Sequence, residues 1–496
     1  MTLLTTPLLS VAPVLASLFN PVMLSRIQFG LTISFHYIFP ILSIGLGLLL
    51  VIMEGLYLKT NDEMYHRLTQ FWVTVFALIF GIGVATGIVM EFQFGTNWAN
   101  YSRFVGDVFG SALAAEGLFA FFLESGFLAI LVFGWDRVSK QMHFFSTVMV
   151  ALGAHFSAVW IVVANSWQQT PAGFHLVEHN GLMRAEITDF WAMVFNPSSV
   201  SRLAHVIPGA WLAGAFLVMS VSAFYLLKKR HIETAMAGMK IGLCVAIVSS
   251  LLQLATGHES ALVVAKYQPA KLAAMEGHFN SEGPADLHAF GWVDVKNKMT
   301  YGPAIPGGLS MLVHLNFQNP LQAFEQIPVK GLDQIAKNEQ PPIQFTFQAF
   351  HAMVALGLLM IAMALLGLFM WWRGTLFTSV PVLWCFVPSV LLPQLANQFG
   401  WWTAEVGRQP WVVYGLMKTS DGISPAVSGD QILASIIMFS LVYALLFALF
   451  LFLLDRKIKK GPVFGDDKSP DLEDGFDLTA QGQRLQQSSQ SQEEQK

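Results

Sequence analysis

Charge is what this sequence has least of. Asp, Glu, Lys and Arg make up only 12% of its 496 residues, while 54% are hydrophobic. A soluble domain carries about 25% charge. The deficit excludes an ordinary cytosolic enzyme and a nucleic-acid binder. Cysteine is almost missing too. Cys244 and Cys385 both lie in apolar runs, so no disulfide framework holds the chain. The apolar first 23 residues have no basic leading region. They read as a lead-in on the outer surface, not a cleaved signal peptide. No internal repeat is visible. The formal net charge is −4. Residues 461–496 hold eight acids and three bases, a net −5, which leaves +1 for all the rest. The acidity belongs to a polar Gln/Ser-rich tail that reads as disordered and cytoplasmic.

Long apolar runs are abundant. A bilayer-crossing helix needs about 20 mostly apolar residues. Nine stretches qualify: 26–57, 70–94, 111–134, 144–165, 203–227, 238–257, 344–370, 379–400 and 431–454. The eighth is interrupted by Pro381, Pro388 and Pro393. Neighbouring helices can satisfy the carbonyls that such prolines free. The expected fold is all-α, a polytopic membrane bundle of about nine helices spanning residues 1–460. Short loops on one side carry most of the Lys and Arg, including residues 228–230 and 456–460. That side is expected to be cytoplasmic, which puts the N-terminus outside and the C-terminus inside. Residues 258–341 then form one long outer loop.

An ionisable group in an apolar span is costly and asks for a reason. The informative ones are His36, Glu91, Glu116, Glu124, His155, His205, His351 and Glu405. On the expected topology His36, Glu91, Glu116, His205 and Glu405 fall in or near the outer half. Glu124 lies eight residues past Glu116, roughly 12 Å deeper, and about 80° round an ideal helix. Imidazole, thioether and carboxylate can all serve haem iron between bundle helices. A single membrane histidine can equally be a helix-to-helix hydrogen bond, which is the reading for His155. Met353 is one of 21 methionines. Lys271 and Glu276 in the long loop lie about 140° apart on a helix, so they do not share a face. Two functions remain open on these residues: a haem-bearing membrane oxidoreductase, or a secondary transporter whose acids carry protons.

Six strings are more specific. They are SRIQFGLTISFHYIFP (25–40), ATGIVMEFQFGTNW (85–98), AAEGLFAFFLES (114–125), FGWDR (133–137), KLAAMEGHF (271–279) and GWWTAEVGRQPW (400–411). In content and order they resemble subunit I of the cytochrome bd quinol oxidase family over about 1–460. The loop 258–341 lacks a long insertion, so the chain looks like the short-loop branch called cyanide-insensitive.

The resemblance implies a terminal respiratory oxidase that oxidises quinol at the outer face and reduces O2 to water. It would build a proton gradient by cytoplasmic uptake, without pumping. It implies a low-spin haem b, a high-spin haem b and a haem d, the last replaceable by a b-type haem. His205 and Met353 would be the low-spin ligands. His36 would ligate one oxygen-site haem and Glu405 the other, with Trp401 and Arg408 beside them. Glu116 would face that site, and Glu124 and Ser157 would belong to a proton path. Lys271 and Glu276 match the residues associated with quinol. The expected partners are subunit II, in a heterodimer, small single-span subunits and lipid, in a bacterial inner membrane. The string FHAMV at 350–354 puts His351 where some members have Arg.

Overall fold

The computed structural model describes residues 20–314 and 329–462. Residues 1–19 of the 23-residue lead-in and all but two residues of the acidic tail lie outside the described residues, and Pro21–Met23 of the lead-in already belong to the first helix. Among the described residues nine helical spans are long and apolar enough to cross a membrane. They are α1 (Pro21–Thr60), α2 (Glu63–Thr96), α3 (Gly106–Phe133), α4 (Lys140–Gln169), α5 (Ser199–Leu227), α6 (Ile232–Tyr267), α8 (Ile343–Trp372), α9 (Val380–Val406) and α10 (Gly429–Lys460), with a short α7 (Pro269–Glu276) between α6 and α8. The nine-helix expectation holds.

Local sequence explains the boundaries. Pro21 occupies the first turn of α1, and the Asn20 side chain accepts from the Val22 amide at 2.9 Å. Asn61 ends α1 in the left-handed conformation, and Asp62 then caps α2. Ser428 and Gln431 form a reciprocal capping box at the start of α10. The prolines in α9 leave it helical but broken. A 3₁₀ turn at Val387–Val390 joins Val380–Phe386 to Leu391–Val406.

Helix α6 differs from the hydropathy reading. It runs ten residues past 257, through Tyr267. The apolar pattern stops at the polar run GHES, but nothing there breaks a helix until Gln268–Pro269. The long connection therefore begins at 268.

Short turns at 61–62, 134–139, 228–231 and 373–379 share one end with the C-terminus of α10. This is the basic end. The long connections 97–105, 170–198, 268–342 and 407–428 form the opposite, loop end. They carry four two-stranded antiparallel ribbons: β1 (Phe174–His179) with β2 (Leu182–Ile187), β3 (Leu287–His288) with β6 (Ala304–Ile305), β4 (Trp292–Asp294) with β5 (Met299–Tyr301), and β7 (Trp411–Val413) with β8 (Met417–Lys418). The β1–β2 turn is Asn180–Gly181 with both φ angles positive, the sequence that suits a tight hairpin.

The core lies between α1, α2, α5 and α6, with Phe39, Leu46, Met53, Phe76, Phe216 and Leu243 fully buried. Helices α1 and α5 cross backbone to backbone. A Cβ on Gly45 would sit 2.1 Å from the Ala210 carbonyl oxygen, and one on Gly214 would sit 2.3 Å from the Gly45 carbonyl carbon. Small residues give membrane helices their van der Waals contact, because lipid offers no hydrophobic drive to associate. Burial falls from 83% of the membrane window of α5 to 11% of that of α10, so α10 stands at the periphery.

Candidate functional site

A cavity of about 1180 Å³ opens between α1, α2, α3, α4 and the end of α9. That exceeds the roughly 300–1,000 Å³ of a common ligand pocket. His36, Glu116, Glu124, Ser157, Trp401, Glu405 and Arg408 all line it. Seven expected site residues from distant parts of the chain thus share one space. Trp401 stands beside Phe29, with ring centroids 6.5 Å apart. His205 and Met353 do not line this cavity. They lie on α5 and α8, linked through α9. Asn397 contacts the Gly209 carbonyl, one turn from His205, and Gly400 faces Met353.

The two histidines are held alike. His36 Nδ1 lies 2.9 Å from Thr86 Oγ1, and His205 Nδ1 lies 3.2 Å from Thr256 Oγ1. Each threonine hydroxyl spends its own hydrogen on a carbonyl of the preceding turn, Ile82 and Leu252. Each imidazole therefore donates from Nδ1 and keeps its lone pair on Nε2. A metal-binding histidine is commonly fixed in this way through its other ring nitrogen. His36 Nε2 has no protein partner among the described contacts. His205 Nε2 accepts from the Gln253 amide at 3.0 Å.

A glycine faces each of three candidate ligands. A Cβ on Gly87 or Gly257 would come within 3.3 Å of the His36 or His205 ring, and one on Gly400 within 2.9 Å of Met353 Sδ. Each of these side chains thus packs directly on a neighbouring helix where no Cβ pushes it aside.

Glu405 sits in a polar cluster at the loop end. Its Oε2 pairs with Arg408, and its Oε1 accepts from Asn165 at 3.0 Å and Gln169 at 3.1 Å. Asn165 also accepts from Arg202 at 2.5 Å, and Gln169 accepts from Lys271 Nζ at 2.5 Å. The last turn of α4 thus joins Arg202, Arg408 and the Lys271 amine to one carboxylate, and the two guanidinium groups alone outnumber it. Arg202 Nη1 has no partner among the described residues. Buried charge needs compensation, so the cluster calls for added anions. The two carboxylates of a haem, which guanidinium groups hold well, would supply them. Donor set and excess positive charge both fit haem.

The sequence reading missed Asn165, Gln168, Gln169 and Arg202. The string NSWQQ was the available signal, since three amides in one turn of a membrane helix need a polar reason.

Glu116 and Ser157 meet directly, the Ser157 hydroxyl donating to Glu116 Oε1 at 2.8 Å. Between Glu116 and Glu124 the helix is not ideal. Gly117–Phe121 is a π segment, a feature frequent at functional sites. Its i→i+5 repeat takes more residues per turn than an α-helix. Eight residues therefore sweep less than the ideal angle, and the two acids come nearer to one line than the expected 80°. Gly153 of α4 lets the Glu124 backbone approach, for a Cβ there would be 2.8 Å from Glu124 Cβ. His155 makes an interhelical bond, as expected, accepting from Trp211 Nε1 at 2.9 Å.

Lys271 and Glu276 sit on α7, and both are buried. They form no ion pair with each other. Lys271 donates to Gln169 and Gln268. Burial, then Arg202 and Arg408, push its ammonium well below the usual lysine range. Glu276 Oε2 has no partner among the described residues, and burial raises its carboxyl to about 8. Neither residue is merely solvated.

Comparison with known proteins gives the family. Residues 24–462 match the family described as cytochrome bd terminal oxidase subunit I. The chain belongs to that family. It is 41% identical over 445 residues to a cytochrome bd ubiquinol oxidase subunit 1 of Bacillus subtilis, covering 89% of this chain and 94% of the relative. It is 32% identical over 511 residues to a cytochrome bd-II ubiquinol oxidase subunit 1 of Escherichia coli, covering 91% and 99%. The bd oxidase structure from Geobacillus thermodenitrificans superposes with a TM-score of 0.80 at 30% identity, covering 89% of this chain and 99% of that one. Membership of the bd oxidase family makes this a haem-dependent quinol:O2 oxidoreductase subunit of a bacterial membrane.

Proposed function

We propose that this chain is the haem-bearing subunit of a terminal oxidase that couples quinol oxidation at its loop end to O2 reduction in the cavity. The matched His–Thr–carbonyl arrangements at His36 and His205 carry the reading. They prepare two separate nitrogen ligands, one at the large cavity and one outside it.

His205 with Met353 would hold a low-spin haem b. His36 would hold one oxygen-site haem and Glu405 the other, one a high-spin b and the other a d-type or b-type. Glu405 would do so from a cluster in which Arg408 and Arg202 remain to neutralise haem carboxylates. Arg408 and Trp401 would border both groups. When bound, such haems supply one-electron transfer and the reduction of O2.

The residues divide the remaining work. Oxidation of two quinols releases four electrons and four protons. Reduction of one O2 to two waters takes up four of each. Lys271 and Glu276, buried at the loop end, would meet the quinol hydroxyls, and the neutral Lys271 amine or the ionised Glu276 carboxylate would accept the proton. Glu124 and then Glu116, with Ser157 donating to Glu116 Oε1, would pass protons to the cavity. Helix α3 runs from loop end to basic end, so Glu124 faces the basic end. The Lys and Arg bias puts that end in the cytoplasm. Release and uptake on opposite sides would charge the membrane without a pump, each charge being worth about 2.3 kcal/mol per 100 mV. Subunit II would complete a heterodimer, to which small single-span subunits could add.

A pyridine haemochrome assay with reduced-minus-oxidised spectra, on the intact complex and on Met353→Leu, tests this. We expect loss of the low-spin signal alone. An unchanged spectrum and potential would remove Met353 from the site.

A further inference from the structure

The connection 268–342 carries an apolar surface that the haem sites do not use. Trp292 of β4 pairs across the ribbon with Tyr301 of β5. Cross-strand neighbours share a face. Trp292 is 63% exposed and Tyr301 51%, and Phe290, Met299 and Ile305 are also exposed. The tip of the ribbon presents Lys296 and Lys298 to solvent.

This ribbon is bound along a membrane helix. The Val293 amide donates to Gln344 Oε1 at 2.9 Å, Gln348 Nε2 donates to the Gly291 carbonyl at 2.8 Å, and His351 Nε2 lies 2.9 Å from the His288 carbonyl. Residues 344, 348 and 351 follow i, i+4, i+7 spacing, so one face of α8 binds the strand over about 10 Å of helix. The strand thus descends beside the first turns of a spanning helix. Val354, three residues past His351 on α8, remains exposed. Irregular backbone survives at membrane depth only when protein satisfies its polar groups, and these three side chains do that. Exposed Trp and Tyr with lysines at the rim match the headgroup layer of a bilayer.

We infer that residues 287–305 form an interfacial anchor whose aromatic face lies in the lipid headgroup layer beside α8. The anchor also holds the quinol-associated helix, for Thr300 Oγ1 donates to the Gly277 carbonyl at the end of α7 at 2.7 Å. Its membrane contact does not depend on what α7 binds.

Spin labels at Trp292→Cys, Tyr301→Cys and Asn297→Cys test this, in the complex with Cys244 and Cys385 replaced by Ala. The complex is placed in phospholipid nanodiscs without quinol. Collision with O2 relative to a water-soluble nickel chelate should be several-fold higher at 292 and 301 than at 297. Equal ratios at the three sites would show a water-facing ribbon and overturn the inference. Protection of 292 and 301 from both probes would show a covering protein and also overturn it. A photoactivatable headgroup lipid tests the unmodified complex. Cross-links within 287–305 support the anchor, and cross-links on α8 without any on 287–305 refute it.

Discussion

Two polar clusters are buried at opposite ends of this bundle, and they are built on opposite principles. At the basic end Glu54 Oε1 meets His143 Nδ1 at 2.6 Å, and Thr147 donates to Glu54 Oε2 at 2.5 Å. His143 Nε2 reaches the Leu131 carbonyl at 3.2 Å, and Trp135 covers the ring at a centroid distance of 3.7 Å. Every group has a partner, so the cluster ties α1, α3 and α4 together and asks for nothing more. At the loop end two guanidinium groups and the Lys271 amine share one carboxylate, and Arg202 keeps an unpartnered nitrogen. A satisfied network specifies a fold, whereas an unsatisfied one specifies a ligand.

The strongest way to sharpen that contrast is His36→Ala. It should remove an oxygen-site haem and lower oxygen consumption by about 1,000-fold or more, leaving the low-spin spectrum in place. Full turnover would exclude His36 as a ligand. Glu54→Ala should act on the other side of the comparison. It leaves a buried imidazole unpaired and should cost about 3–5 kcal/mol of stability, read by thermal unfolding, with the haem spectrum of the surviving protein unchanged. A spectral change at full stability would show that the basic-end cluster also serves the haems.

Glu124→Gln keeps shape and removes the titratable group. Oxygen reduction should slow by about 100-fold while reduction of the low-spin haem by quinol stays normal. Normal turnover would place proton delivery elsewhere. Thr86→Val removes the hydroxyl that meets His36 Nδ1, along with its bonds to the Ile82 and Gly83 carbonyls, and should cost about 10-fold in activity or haem retention. An unaffected enzyme would show that the cavity alone orients the ring.

The smallest effect concerns pH. Burial lifts the Glu276 carboxyl from 4.5 to about 8. The packed loop then keeps a proton that the unpacked loop loses. Packing is fully favoured below the ordinary value, weakens as pH rises from there to about 8, and changes no further above it. Protection of amides 269–277 from hydrogen exchange, taken relative to the base-catalysed intrinsic rate, should fall as pH rises toward about 8 in the native chain, and Glu276→Gln should flatten that fall. Equal falls in both would assign it to another group.

Much of this was legible beforehand because the relevant signals are local. Low charge and long apolar runs specify spanning helices, and all nine expected spans are present among the described residues. Motif strings pointed to His36, Glu116 and Glu405, which share one cavity. Other features were not legible. The continuation of α6 to Tyr267 escaped because hydropathy reports where lipid ends, not where a helix does. The π segment of α3 escaped because the ideal angle between Glu116 and Glu124 presumes an unbroken α-helix.

By itself, then, the sequence determined the helical class, the number of spans and the residues with chemistry to offer, since a bilayer leaves a polar-poor chain few alternatives. Only the tertiary structure decided which of them meet. Glu405 and Lys271 are joined through Gln169, over a hundred residues from either. The same packing put the lone pairs of His36 and His205 on Nε2, by means of threonines about fifty residues away. Such pairings depend on which helix faces pack together, and no local pattern of residues encodes that.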